Sequence, residues 1–190
     1  MTEGLIIELG DRDMMVVAGL PGAGKSTMLG HAAGALAVLD SDEVRGRLRT
    51  ALPAATPYRY YRPIVHVWHR FRVAAAAAFG RGPVVVHEPS TRATTRAWLA
   101  VLGAVTRRPV RMLWLDVTAE EAIAGQRGRG RVLRARSFER HARRAARMRE
   151  ALLAERVPPG WRSAQILTRS AADTAALVGS PGGRERLRPT

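Results

Sequence analysis

An α/β fold built on a parallel five-stranded sheet flanked by helices follows from three features of the sequence. Five short, continuously apolar runs alternate with segments of helical length, the pattern of strands buried on both faces and joined by helical crossovers. A glycine-rich stretch, "GLPGAGKST" at 19–27, sits between the first of these runs and the first helical segment. Lys25 inside it is the sole lysine of a chain whose Lys and Arg together number 31.

The apolar runs, read in order, are "MMVVAGL" from Met14, "LAVLD" from Leu36, "PVVVHE" from Pro83, "VRMLWLD" from Val110 and "AQIL" from Ala164. Between them the spacing predicts helices over 25–33, 43–52, 60–79, 94–106, 119–126 and 138–155, with Gly34, Gly80 and Pro158 as stops. Right-handed crossovers then make the sheet parallel. With 190 residues and 46% hydrophobic content, one well-buried core is expected. The expected domain spans 1–179, followed by a flexible Gly/Pro/Arg-rich tail over 180–190.

Composition narrows the function classes. There is no cysteine, which excludes a disulfide scaffold and a Cys-based zinc site and fits a cytoplasmic setting. No signal-peptide pattern opens the chain and no run has spanning length, so no stable membrane insertion is expected. The net charge of +15 suits a polyphosphate partner. An excess of arginine and alanine is also what GC-rich coding produces, so charge alone does not decide.

The glycine-rich stretch satisfies G-x-x-x-x-G-K-[ST] in the strand-to-helix context its mechanism needs. Gly19, Gly22 and Gly24 let the backbone curl so that successive N–H groups, with Ala23 among them, point at phosphate oxygens, and the next helix adds its positive dipole end. Lys25 reaches the β and γ phosphates as a compact point charge, where a planar guanidinium would not fit. Ser26 offers a hydroxyl to Mg²⁺, and Thr27 completes the nucleotide-holding set. Expected ligands are therefore ATP or GTP and Mg²⁺.

The segment "LAVLDSDEVRGRL" puts Asp40, Asp42 and Arg45 where the second run gives way to a helix, at the carboxyl edge of the sheet where open α/β folds bind ligands. A carboxylate there can take a proton from an attacking hydroxyl, and Arg45, one turn beyond Asp42, can hold an acceptor phosphate or the moving phosphoryl group. Asp40 or Ser41 suits an N-cap.

A phosphate loop followed some fifteen residues later by D-x-x-R resembles the small P-loop kinases of the polynucleotide-kinase-like branch, related in architecture to gluconate, adenylylsulfate and zeta-toxin kinases. The resemblance, which runs from about Met14 to Leu167, implies a P-loop NTPase fold with a mobile Arg-rich lid. It also implies Asp42 as general base for a 5′-hydroxyl and Arg45 as binder of the adjacent phosphate. The third strand departs from the family's D-A-T-N, reading "HEPSTRATTR". His87 stands at the aspartate position, Arg96 keeps its spacing, and Glu88 is the candidate acid for holding Mg²⁺ through water. The lid is expected at about 125–137, where Arg127 and Arg131, by the family's spacing, would bring guanidinium groups to the phosphates. For Arg129 and the arginines over 134–149, a solvated helix face is the simpler reading.

The stretch "PYRYYRPIVHVWHRFRVAAAAAFG" sets Tyr61, Val65, Trp68 and Arg72 near one helical face. Stacking on a nucleobase, packing of Val65, Trp68 and the alanines on the core, and resting of this basic, Tyr- and Trp-bearing helix on an anionic membrane surface are all open, the second being the simplest. The expectation is thus an ATP/Mg²⁺-dependent phosphotransferase acting on a hydroxyl. A polynucleotide 5′-hydroxyl on single-stranded nucleic acid leads; a metabolite, sugar, nucleoside or antibiotic acceptor, and a nucleotide-sensing module without turnover, are the alternatives. The sequence leaves the oligomeric state open.

Overall fold

The computed structural model describes residues 5–128, 130 and 134–179. In chain order the elements are β1 (Ile6–Leu9), β2 (Met14–Gly19), α1 (Lys25–Ala32), β3 (Val38–Asp40), α2 (Ser41–Ala51), α3 (Tyr58–Phe79) and β4 (Val84–His87). There follow α4 (Ala93–Thr106), β5 (Val110–Asp116), α5 (Ala119–Arg127), α6 (Ala135–Leu153), β6 (Ser163–Thr168), α7 (Arg169–Asp173) and β7 (Ala176–Gly179).

Five strands form one parallel sheet in the order β3-β4-β2-β5-β6. All six residues of β2 are buried, as its central place between β4 and β5 and its unbroken "MMVVAG" require. From β2 the chain runs out to the edge strand β3, returns to β4 beside β2, and then crosses to β5 on the other side, so the strand order reverses at β2. A crevice opens there, and the glycine-rich loop begins in it at Gly19.

Each of the five apolar runs lies in this sheet, and each helical segment read from the sequence is a helix. A second, two-stranded parallel sheet pairs β1 with β7, which the reading of the sequence did not include. Both strands are four residues long; in β1 burial alternates, with Ile7 and Leu9 inside and Ile6 and Glu8 outside. So short a segment carries too little pattern to separate from a loop.

The helix α3 corrects one expectation. Its inward row is Tyr61, Val65, His69, Val73 and Ala77, an unbroken i+4 series that leaves Trp68 off the core and 42% exposed. Tyr61 and Val65 join Val44 in a small second core between α2 and α3, with Leu48, Leu52 and Tyr58 packed around it. Arg108, itself buried, ties the far end of α3 to β4. Its guanidinium donates to the carbonyls of Ala77 at 2.7 Å, Gly80 at 2.5 Å and Gly82 at 2.8 Å, so this arginine is spent on the scaffold.

Candidate functional site

The loop leaving β2 turns into α1 through Gly24, whose φ of 98° caps the helix in the left-handed region, a conformation glycine adopts at little cost. Gly22 shares that φ, and space as well as torsion demands glycine there. A Cβ at Gly22 would collide with the Ala122 carbonyl oxygen, and one at Gly125 with the Gly22 carbonyl oxygen. Helix α5 thus lies directly against the loop's outer backbone. Gln126, buried beside them, donates from Nε2 to the Pro21 carbonyl at 2.8 Å.

Lys25 is 4% exposed, and its Nζ donates to the Gly19 and Leu20 carbonyls at 3.0 and 2.8 Å. The ammonium is therefore folded back on the loop that carries it. Ala23 is buried beneath the loop, while Ser26 and Thr27 on the first turn of α1 are exposed.

Across from the loop stands the end of β3. Asp40 caps α2, its Oδ1 accepting from the Asp42 N–H at 2.8 Å, and its Oδ2 lies 2.6 Å from Nδ1 of His87 at the end of β4. Burial pushes the Asp40 carboxyl up, but the hydrogen bond and charge of His87 outweigh it, and the net pKa lies below the ordinary value. The sequence places His87 at the acceptor edge; it does not reveal this partner, because the contact joins two strand ends far apart in the chain. Asp42 is exposed, with Oδ1 4.0 Å from the Arg45 guanidinium one turn on. Arg45 lies over the ring of Tyr58 with its guanidinium carbon 4.3 Å from the centroid, and Tyr58 meets the buried Tyr61 edge-on with centroids 5.2 Å apart. The second core thus reaches the site through Tyr58, which holds Arg45 by a cation–π contact. Nothing in the spacing of "PYRYYR" distinguishes Tyr58 from its neighbours.

These groups line a single cleft of about 820 Å³, bounded by Gly22, Lys25 and Ser26 on one side and Asp40, Asp42, Arg45, Tyr58 and His87 on the other. Glu88 sits behind that wall. Burial raises its pKa, and its Oε2 is 3.9 Å from Nε2 of the buried His69. His69 has no hydrogen bond at either ring nitrogen, and burial lowers its pKa to about 4.

Arg127 is exposed on the last turn of α5; Arg131 and Arg129 lie outside the described residues. Of the span 125–137, Gly125, Gln126 and Arg127 belong to α5, and residues from Ala135 on belong to α6. On α6 the residues Phe138, Ala145, Met148 and Leu152 turn inward, and Arg136, Arg140, Arg143 and Arg147 are exposed. His141 reaches back to Thr91 after β4, with Nδ1 2.8 Å from the hydroxyl.

Among the described residues no group of three or more His, Asp or Glu is arranged to hold a metal ion. The donors present suit Mg²⁺ all the same: Ser26 offers a hydroxyl and Asp40 and Asp42 offer carboxylate oxygens across the same cleft, and Mg²⁺ is usually held by one or two protein oxygens together with substrate phosphates and water.

Three comparisons bear on kinship. A structure from the PezAT toxin-antitoxin system of Streptococcus pneumoniae aligns at 15% identity and TM-score 0.59, covering 85% of this chain and 69% of that one. A gluconokinase from Sinorhizobium meliloti aligns at 16% identity and TM-score 0.49, covering 87% of this chain and 89% of that one. The tunicamycin resistance protein of Deinococcus radiodurans aligns at 15% and 0.49, covering 85% and 92%. At such identities the first likeness shows a shared fold, and the other two carry no further weight. No curated protein matches the sequence. The model of the AAA domain family matches residues 14–154, from the first strand of the large sheet to the end of α6, and this chain, a P-loop NTPase fold with a parallel five-stranded sheet flanked by helices, therefore belongs to that family.

Proposed function

We propose that the protein is an ATP- and Mg²⁺-dependent phosphotransferase that moves a γ-phosphoryl group to a hydroxyl, with the 5′-hydroxyl of a single-stranded polynucleotide as acceptor. The observation that carries the reading is the sharing of one cleft by Lys25 and Ser26 with Asp42 and Arg45. A phosphate-gripping loop and an acid–arginine pair facing each other are the two halves a phosphoryl transfer needs.

In this reading the N–H groups of Gly22, Ala23 and Gly24 receive the β-phosphate, and Lys25 exchanges its own loop carbonyls for β and γ oxygens. Bound Mg²⁺ would be held on the protein side by the Ser26 hydroxyl with Asp40 through water, in place of Glu88, which stands behind the cleft wall beside His69, and would neutralise charge on the triphosphate. The acceptor oxygen forms its bond to the γ-phosphorus as the bond to the β–γ bridging oxygen breaks, and the electron pair leaves on the diphosphate. The hydroxyl proton passes to Asp42. Arg45, steadied by Tyr58, holds the acceptor's adjacent phosphate, and Arg127 with Arg131 neutralises the phosphoryl group in transit.

The Asp40–His87 pair favours attention to a second acceptor class. Where relatives of the resembled branch present an aspartate, this wall presents an imidazole tied to a carboxylate, a surface able to recognise hydroxyls on a small metabolite, sugar or nucleoside. The test is transfer of labelled γ-phosphate with a 5′-hydroxyl oligonucleotide and a small-molecule panel offered side by side. Asp42→Asn should lower the rate by about 10² to 10⁴ with nucleotide affinity nearly unchanged. Absence of transfer to any hydroxyl, with Mg²⁺-dependent nucleotide binding intact, would instead support a nucleotide-sensing module.

A further inference from the structure

Helix α3 is apolar on two opposite faces, and the nucleotide site uses neither the outer face nor its charge. Successive residues of a helix turn by about 100°, so Tyr60, Ile64, Val67 and Phe71 form a narrow row on the side opposite the buried series from Tyr61 to Ala77. Their exposures are 64, 53, 69 and 71%. An apolar row of this length facing water is unusual for a surface that meets nothing.

Its electrostatic setting narrows what it meets. From Val44 to His87 the chain carries no aspartate or glutamate. Arg59 and Arg70 are exposed along one flank of the row; Arg59 lies 4.6 Å over the Tyr60 ring, and Arg70 lies 5.5 Å from the Trp98 ring on α4. Trp68 stands on the other flank. A second copy would bring one acid-free, arginine-bearing face against another, which like charge opposes. Stacked bases would need rings along the row, but its middle positions, Ile64 and Val67, are aliphatic. A rigid protein partner would have to supply a groove for the crest of a helix, whereas the headgroup boundary of a bilayer accepts such a crest without shaping. Aromatic and aliphatic residues on one stripe with arginines beside it, on a helix that carries no acidic residue, are the features that let a helix lie in an anionic interface.

We propose that the outer face of α3 docks the protein on anionic phospholipid surfaces, through the row Tyr60, Ile64, Val67 and Phe71 and the guanidinium groups of Arg59 and Arg70. Docking is peripheral, consistent with the lack, among the described residues, of any helix long and apolar enough to cross a membrane. It does not depend on the phosphotransferase reading.

The full-length chain is to be tested by flotation with phosphatidylcholine vesicles lacking or containing phosphatidylglycerol. Wild type should float only with the anionic vesicles. The double variant Ile64→Ser, Phe71→Ser keeps the net charge and should lose about tenfold or more in partitioning, while its circular-dichroism melt stays at the wild-type midpoint because both side chains are exposed. Arg59→Gln with Arg70→Gln should weaken flotation without altering the melt. The proposal is overturned if wild type fails to float with anionic vesicles, or if the serine variant floats as well as wild type, leaving diffuse charge as the cause. It also fails if light scattering shows a wild-type dimer that the serine variant dissolves, or if an acidic amphipathic peptide binds the row while anionic vesicles do not.

Discussion

His69 occupies a core position on α3 that an aliphatic residue would fill without cost. It is 2% exposed, lacks a hydrogen bond at both nitrogens, and has its pKa lowered to about 4, first by burial and then by the nearby Arg72, His87 and His66, against the pull of Asp40. An imidazole that resists protonation when folded but accepts a proton near its usual pKa when unfolded makes the unfolded state the better proton binder between those values. Stability should therefore fall as pH drops from about 6.5 toward about 4, by up to about 3 kcal/mol from this group. Glu88 works the other way, since its raised pKa lets the folded state take up a proton first. Comparing denaturant unfolding of wild type and His69→Leu across that window isolates the histidine: the variant should lose much of the acid slope. An unchanged slope would mean that His69 finds a proton-accepting partner in the folded state.

At the scale of elements, the glycine-rich loop depends on a helix that comes a hundred residues later. Helix α5 begins with a reciprocal capping box, Thr118 accepting from the Glu121 N–H and the Glu121 carboxylate accepting from the Thr118 N–H, which fixes the angle at which it leaves β5. That angle sets Ala122, Gly125 and Gln126 against Gly22 and Pro21. Gly125→Ala should push the loop backbone aside, an overpacking that costs about 1–3 kcal/mol. Mg-nucleotide affinity measured by calorimetry should fall by about tenfold or more; wild-type affinity in this variant would show that the loop has room to yield. The division between what the sequence disclosed and what it hid follows the same lines. Strands such as "MMVVAG" and "VRMLWLD" are legible because burial on both faces leaves an unbroken apolar run, and the loop is legible because its backbone geometry demands glycines at set intervals. The Gly22–Gly125 packing, the Asp40–His87 pair and the Arg45–Tyr58 stack are not, since each joins segments whose separation in the chain says nothing of their distance in space. Trp68 lies one position off the core row because His69, a polar residue, holds the place that periodicity gives to an apolar one.

For the whole molecule the question is how much of the +15 charge is available to an acceptor. Part of it is committed to the scaffold. Arg108 binds three backbone carbonyls, Arg111 pairs with Asp13, Arg149 with Asp116, and Arg72 and Arg47 share Glu43. Among the described residues, Arg136, Arg140, Arg143 and Arg147 on α6 and Arg59 and Arg70 on the flank of α3 form no such ion pairs and contribute to the long-range field. A polynucleotide acceptor would feel that field along its length, whereas a neutral sugar or nucleoside would meet only the groups inside the cleft. Phosphate contacts displace condensed counterions, so affinity for a single strand that makes several of them should fall by orders of magnitude, about 10² or more, between low and moderate salt. Measured as KM for a 5′-hydroxyl oligonucleotide against KM for a small hydroxyl acceptor over the same salt series, the first should climb steeply and the second stay level. A flat oligonucleotide profile would remove the polymer from the proposed reaction and leave the Asp40–His87 wall to read a small molecule.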